Sequence, residues 1–158
     1  MVEFTKRWGD ILDPYKNRVN NYLEIGLYKG TSLKVWKDHF NCNAYGIDIS
    51  LDDIEIDKDI HNIYCMDATD ENSANAAFNN IKFDYITDDS CPNNHYKIFT
   101  IFSKFLEENS IYIIETFKSK FVFYSDLNRL TKNFPNFRFE VIHSRNSGEP
   151  AIACYKLS

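Results

Sequence analysis

Residues 22–32 read Tyr-Leu-Glu-Ile-Gly-Leu-Tyr-Lys-Gly-Thr-Ser. Positions 22–26 form a short, mostly apolar run closed by glycine, the pattern of a buried strand. Gly26 lets the backbone turn sharply, and Gly30 allows a close approach just before a helix. From Leu33 to Phe40 the residues Leu33, Trp36, Lys37 and Phe40 recur at helical spacing, with Thr31 or Ser32 as the expected N-cap. A strand, a glycine-bearing turn and a helix make the first half of a βαβ unit. Amides at such a helix N-terminus can receive a carboxylate. The bland alternative is a tight turn that binds nothing.

The same alternation continues outward. Runs 44–49, 62–66, 83–87 and 111–115 read as further strands, and 74–80, 96–106 and 125–133 as helices. Upstream, Trp8, Ile11, Leu12 and Tyr15 stand at helical spacing broken at Pro14, so residues 1–20 form a short helical lead-in. Two last strand-like runs, 137–143 and 151–157, are separated only by Ser-Arg-Asn-Ser-Gly-Glu-Pro. That is too short for a crossover helix, so these two strands should be antiparallel neighbours. The expectation is one α/β domain over residues 1–158, doubly wound around a mostly parallel seven-stranded sheet whose last strand is antiparallel.

Composition narrows the function. The net charge is −5 and the 18 Lys and Arg are scattered. Binding to a phosphate backbone draws on clustered cations, so neither nucleic acid nor an anionic membrane is an expected partner. No run approaches the roughly 18 apolar residues of a membrane span. The N-terminal text lacks the apolar stretch of a signal peptide. Cys42, Cys65, Cys91 and Cys154 form no metal-ligand spacing and read as buried, reduced thiols, which places the protein in the cytoplasm. Thirteen Phe and ten Tyr point to a core built on rings. A homo-oligomer is compatible with this reading.

Candidate ligand residues stand where strands end, the binding edge of open α/β sheets. Asp48 closes the second strand, where a carboxylate can accept the hydroxyls of a ribose. Its alternative is a solvated strand-end Asp. Asp67-Ala68 follows the third strand, where a side chain can reach a base amino group or simply form an Asx turn.

Residues 14–50 resemble class I S-adenosylmethionine (SAM)-dependent methyltransferases, above all the macrocin-type O-methyltransferases. The likeness lies in Pro14-Tyr15-Lys16, Leu23-Glu24-Ile25-Gly26, Gly30-Thr31-Ser32, Trp36 and Tyr45-Gly46-Ile47-Asp48. It continues more weakly through Asp67, Asp88-Asp89 and Glu115. The resemblance implies a Rossmann-like fold and O-methylation of a small molecule or sugar. It also implies a SAM site drawn from Glu24, Gly26, Tyr28, Gly30, Ser32, Asp48, Ile49, Asp67, Ala68 and Asp88. Members of that family carry Asp-Asp-Gly-Ser-His after strand four and Glu-Asp after strand five, for Mg²⁺ and a His base. Here the text is Asp88-Asp89-Ser90-Cys91-Pro92-Asn93-Asn94-His95 and then Glu115-Thr116. Asp89 and Glu115 match two metal ligands and Thr116 replaces the third carboxylate, so any Mg²⁺ should bind weakly.

Methyl transfer asks a protein mainly to align its reactants and remove a proton. The candidate catalytic residues are His95 and Asp88, with Asp89 as a further base. His95 is otherwise an exposed helix-start residue, and Asp88 otherwise a partner for the SAM amino group. Two other functions fit less well. One is SAM binding without methyl transfer, in a regulator or a complex subunit. The other is a nicotinamide-dependent oxidoreductase, against which stand the missing middle glycine of G-x-G-x-x-G and the terminal hairpin.

Overall fold

The computed structural model describes residues 10–56, 62–143 and 150–158. Seven strands form one sheet: β1 (Asn21–Ile25), β2 (Asn43–Asp48), β3 (Asn62–Cys65), β4 (Phe83–Asp88), β5 (Leu106–Ile114), β6 (Phe137–His143) and β7 (Pro150–Lys156). Their order is β3-β2-β1-β4-β5-β7-β6. Strands β1 to β5 pair in parallel, and β7 runs antiparallel to both β5 and β6. The expected sheet is therefore observed, with the final strand inserted between β5 and β6 rather than added at the edge. Four helices connect it: α1 (Thr31–Phe40), α2 (Glu71–Phe78), α3 (His95–Phe102) and α4 (Lys120–Asn133). A 3₁₀ turn, Asp13–Tyr15, follows helical residues 10–12, and residues 1–9 of the expected lead-in, Trp8 among them, lie outside the described residues.

The boundaries differ from expectation for identifiable reasons. Gly30, at φ 78°, is itself the N-cap of α1, and no side chain caps that helix. The left-handed conformation there favours glycine over the Thr31 or Ser32 anticipated as cap. Helices α2 and α4 begin earlier than their apolar spacing suggested, because Asp70 and Ser119 accept from the amides of Asn72 and Val122. Helix α3 ends at Phe102 and the 3₁₀ turn Ser103–Phe105 follows. Strand β5 then begins at Leu106, upstream of the apolar run at 111. A register shift between Phe83 and Tyr85 absorbs its polar residues, with Asn109 left-handed at φ 58°. The buried-thiol reading needs correction: only Cys154 is buried, whereas Cys65 and Cys91 are exposed and Cys42 is intermediate; all four are free.

Two apolar layers cover the sheet. One joins Leu23, Ile86, Tyr112 and Ile114 to Phe78, Phe99, Phe102 and Phe123 of the helices. Phe99 is its hub, with ring centroids 4.9 Å from Tyr112 and from Phe134. The other joins Tyr22, Tyr85, Ile111 and Ile113 to Leu33 and Phe40 of α1 and to Leu12 and Val19. Most rings belong to these layers, as burial of so much aromatic area demands. No described helix is long and apolar enough to cross a membrane.

Strands β1 and β4 are neighbours whose onward connections leave in opposite directions across the sheet, which opens a crevice at their carboxyl ends. Gly26 makes that crevice possible. Its φ is 88°, and a β-carbon there would lie 2.6 Å from the Asp89 carbonyl oxygen. Gly26→Ala combines left-handed strain with a backbone clash and should cost about 2 kcal/mol or more. Thermal unfolding should show a midpoint roughly 4–8 °C lower; an unchanged midpoint would refute this role of Gly26.

Candidate functional site

At the carboxyl ends of β1, β2 and β4 lies a cavity of ≈ 790 Å³. Gly26, Tyr28, Ser32, Asp48, Ile49, Asp67 and Ala68 line it, together with Asp89. Of the residues assigned to the cofactor from sequence, Glu24, Gly30 and Asp88 do not. Leu27, Asp53, Met66, Ser90 and Asn94 line it too; Leu27, Ser90 and Asn94 lie within the quoted stretches 22–32 and 88–95 without having been singled out, and Asp53 and Met66 carry no motif signal.

Asp48 holds the loop that forms one wall. Its Oδ2 accepts from the backbone N–H of Leu27 at 2.7 Å and of Tyr28 at 3.1 Å, and its Oδ1 from the N–H of Ser50 at 3.2 Å. Asp48 is partly buried, so it is no solvated strand end. Across the mouth, Lys29 pairs with Glu55 at 2.5 Å. Asp67 accepts the Thr69 N–H at 2.8 Å, which holds its carboxyl below the usual range. It thus forms an Asx turn and lines the cavity at once.

Glu24 lies behind this wall, 2% exposed. It accepts from the hydroxyls of Ser32 and Tyr22. Burial pushes its carboxyl up to about 7, against the lowering effect of those two donors. Glu115, partly buried beyond β5, is also pushed well above its usual range, by burial and then by the charges of Asp89, Glu24 and Asp88.

His95 and Asp88 lie beneath the cavity, and both are fully buried. The alternative reading of His95 as an exposed helix-start residue does not hold. The His95 Nδ1 is 3.0 Å from Asp88 Oδ2 and its Nε2 is 3.0 Å from the Thr116 carbonyl oxygen. With both ring nitrogens engaged and no face on the cavity, His95 is not placed to take a proton from a bound molecule. Asp88 is likewise enclosed, by Ser90, Tyr112 and His95. Asp89 does reach the cavity, and its Oδ1 accepts the Thr116 hydroxyl at 2.6 Å. Among the described residues, no group of three or more His, Cys, Asp and Glu side chains is arranged to hold a metal ion.

No family model and no curated protein matches the chain. Solved structures do. The MycE methyltransferase of mycinamycin biosynthesis, in complex with Mg and S-adenosylhomocysteine (SAH), superimposes with a TM-score of 0.76 at 20% identity over 98% of this chain. The chain spans about half that protein's length, 46%. An O-methyltransferase from Bacillus cereus in complex with SAH gives 0.73 at 14% identity, over 97% of this chain and 80% of the other. The chain therefore has the fold of these methyltransferases.

Two outcomes follow from the buried carboxylates. A Glu24 carboxyl raised from 4.5 to about 7 binds more protons folded than unfolded, so its contribution is fully present below about pH 4.5 and is lost as pH rises through 7. Relative to Glu24→Gln, the wild-type chain should lose on the order of 3 kcal/mol across that window, measured by denaturant unfolding at several pH values. A pH-independent difference would show that Glu24 is not buried as described. Separately, Thr116 sits at φ 51°, which Asp tolerates better than a β-branched residue. Thr116→Asp should therefore fold, and the added carboxylate should make Mg²⁺ raise its melting temperature more than that of wild type. If Mg²⁺ affects both equally, Asp89, Glu115 and residue 116 do not converge.

Proposed function

We propose that the chain binds S-adenosylmethionine in this cavity and transfers its methyl group to an oxygen of a small molecule or sugar. The observation that carries the proposal is the charge of the walls. Asp48, Asp53, Asp67 and Asp89 face the cavity, against Lys29, the one cation among the described lining residues, itself paired with Glu55. Such walls favour a ligand bearing a sulfonium and an ammonium. They oppose the pyrophosphate of a nicotinamide dinucleotide, so that alternative is disfavoured on electrostatic grounds as well as by the glycine spacing.

The roles follow from position. Asp48, beside the loop it holds, offers the remaining capacity of Oδ1 to ribose hydroxyls. Asp67 and Ala68 lie on the far side, where the base would sit. Ser32 and the first amides of α1 face the amino-acid end. Bound there, SAM would supply an activated methyl group. The chain's part is to align an acceptor hydroxyl and to accept its proton at Asp89, the carboxylate that lines the cavity. Mg²⁺ is not given a role: Asp89 and Glu115 offer two carboxylates, and the Thr116 hydroxyl already occupies Asp89. A small-molecule acceptor is supported by MycE, which has also been solved with Mg, SAH and mycinamycin VI.

The engaged ring of His95 gives weight to a second reading, SAM binding without methyl transfer. Release of SAH from SAM with candidate acceptors decides between the two. Binding itself is tested by calorimetry. Asp48→Ala should weaken SAM by one to two decades, the equivalent of about 1.5–3 kcal/mol for a charge-assisted acceptor, with circular dichroism unchanged. Equal affinity in wild type and variant would sink the assignment of Asp48, and tight binding of NAD would sink the choice of cofactor.

A further inference from the structure

His95 is the first residue of α3 and has no solvent exposure. Two acceptors, an aromatic ring and a second carboxylate surround its ring. Asp88 from β4 faces Nδ1 at 3.0 Å, and the Thr116 carbonyl beyond β5 faces Nε2 at 3.0 Å. Phe117 packs on the ring at 5.0 Å between centroids. Asp126 of α4, 6% exposed, adds a second nearby negative charge. A carbonyl oxygen can only accept, so Nε2 carries a proton. Asp88 also behaves as an acceptor throughout: its Oδ1 takes the Ser90 N–H at 3.2 Å and hydroxyl at 2.5 Å, and its Oδ2 takes the Tyr112 hydroxyl at 3.4 Å. Nδ1 then carries a proton as well.

We propose that His95 is a doubly protonated, solvent-free imidazolium that acts as a positioning residue, tying the end of β4 to the end of β5 and thereby aiming Asp89 into the cavity. The link runs through Thr116. Its backbone is left-handed at φ 51°, a conformation costly for a β-branched residue and held only where surroundings enforce it. The His95 bond fixes its carbonyl, and its hydroxyl donates to Asp89. On the other side His95 neutralises Asp88, which in turn holds the cavity residue Ser90. Burial alone would lower the ring's pKa, but Asp88, the bond to Thr116 and Asp126 together raise it above the ordinary histidine value. The consequence for cofactor affinity rests on the proposed SAM reading; the charge and the coupling to Asp89 do not.

The test is nitrogen-15 NMR of the histidine rings in the full chain. His95 should show two protonated ring nitrogens that do not titrate from about pH 6 to about pH 8, an interval in which an ordinary imidazole loses one proton. A neutral tautomer, or titration within that interval, overturns the proposal, including the case in which the shared proton resides on Asp88. In folded His95→Gln, the backbone amide signals of Asp89 and Thr116 should shift, and SAH affinity should fall about tenfold or more, as for other partners that orient a ligating group. Unmoved signals overturn the positioning role. Should the variant not fold, the ring nitrogens of wild type still decide the question. A wild-type chain that shows the imidazolium but binds no SAH leaves this proposal standing and removes the cofactor reading.

Discussion

The site depends on one close backbone approach. The Asp89 N–H donates to the Ile25 carbonyl at 2.9 Å, and the Asp89 carbonyl passes where a Gly26 side chain would be. With a β-carbon at position 26, the exit of β4 would have to move away from the exit of β1. The cavity lies between those two exits, so its width is set there. The Gly26 N–H donates to Ile47 at 2.9 Å, which fixes β2 to the same point. Three strand ends, each carrying an acidic residue within two positions, are thereby brought around one opening. Asp48 then braces the loop beyond Gly26 through two amides, so the wall is stiffened by the same carboxylate proposed to meet a ribose.

Gathering carboxylates at parallel strand ends has an electrostatic cost, and the chain meets it differently on the two faces of the sheet. On the α1 face, Glu24 and Glu115 are pushed upward by burial, toward the neutral acid. On the α3 face, Asp88 is buried completely and faces His95 instead. An uncompensated buried carboxylate is strongly unfavourable, whereas a hydrogen-bonded pair with every lone pair engaged is tolerated. Asp89, between these faces, lines the cavity and accepts the Thr116 hydroxyl. The difference in environment among neighbouring acids is what separates a structural role from a chemical one.

Much of this was legible in the sequence. The short apolar runs and glycines announced the sheet, and the seven residues 144–150 left no choice but an antiparallel end. Asp48 and Asp67 were legible because strand ends are where such sheets bind. What escaped depends on partners distant in sequence. The polar text 107–110 looked like a loop because a bulge, not periodicity, admits it to β5. Ser32 looked like a helix cap, yet its hydroxyl turns to Glu24, eight residues earlier on another element. His95 read as a catalytic base or else an exposed helix-start residue; its burial follows from Asp88 below and from Thr116, 21 residues on. The insertion of β7 between β5 and β6 has no local signal at all.

Thr116 connects these observations to chemistry. In the resembling enzymes this position carries a carboxylate that helps hold a cation between the ends of strands four and five. Removing that charge while keeping Asp89 and Glu115 would leave two acids facing each other with nothing between them. The structure shows two protons there: the Thr116 hydroxyl on Asp89, and a proton favoured on Glu115 by burial beside other acids. The left-handed backbone at Thr116 is the geometric cost of bringing that hydroxyl to Asp89, and the His95 bond to its carbonyl is what sustains it. A carboxylate that accepts a neutral hydroxyl keeps more of its basicity than one bound to a divalent ion. Under the proposed reading, proton removal at this edge of the sheet falls to Asp89 and does not require the third acid.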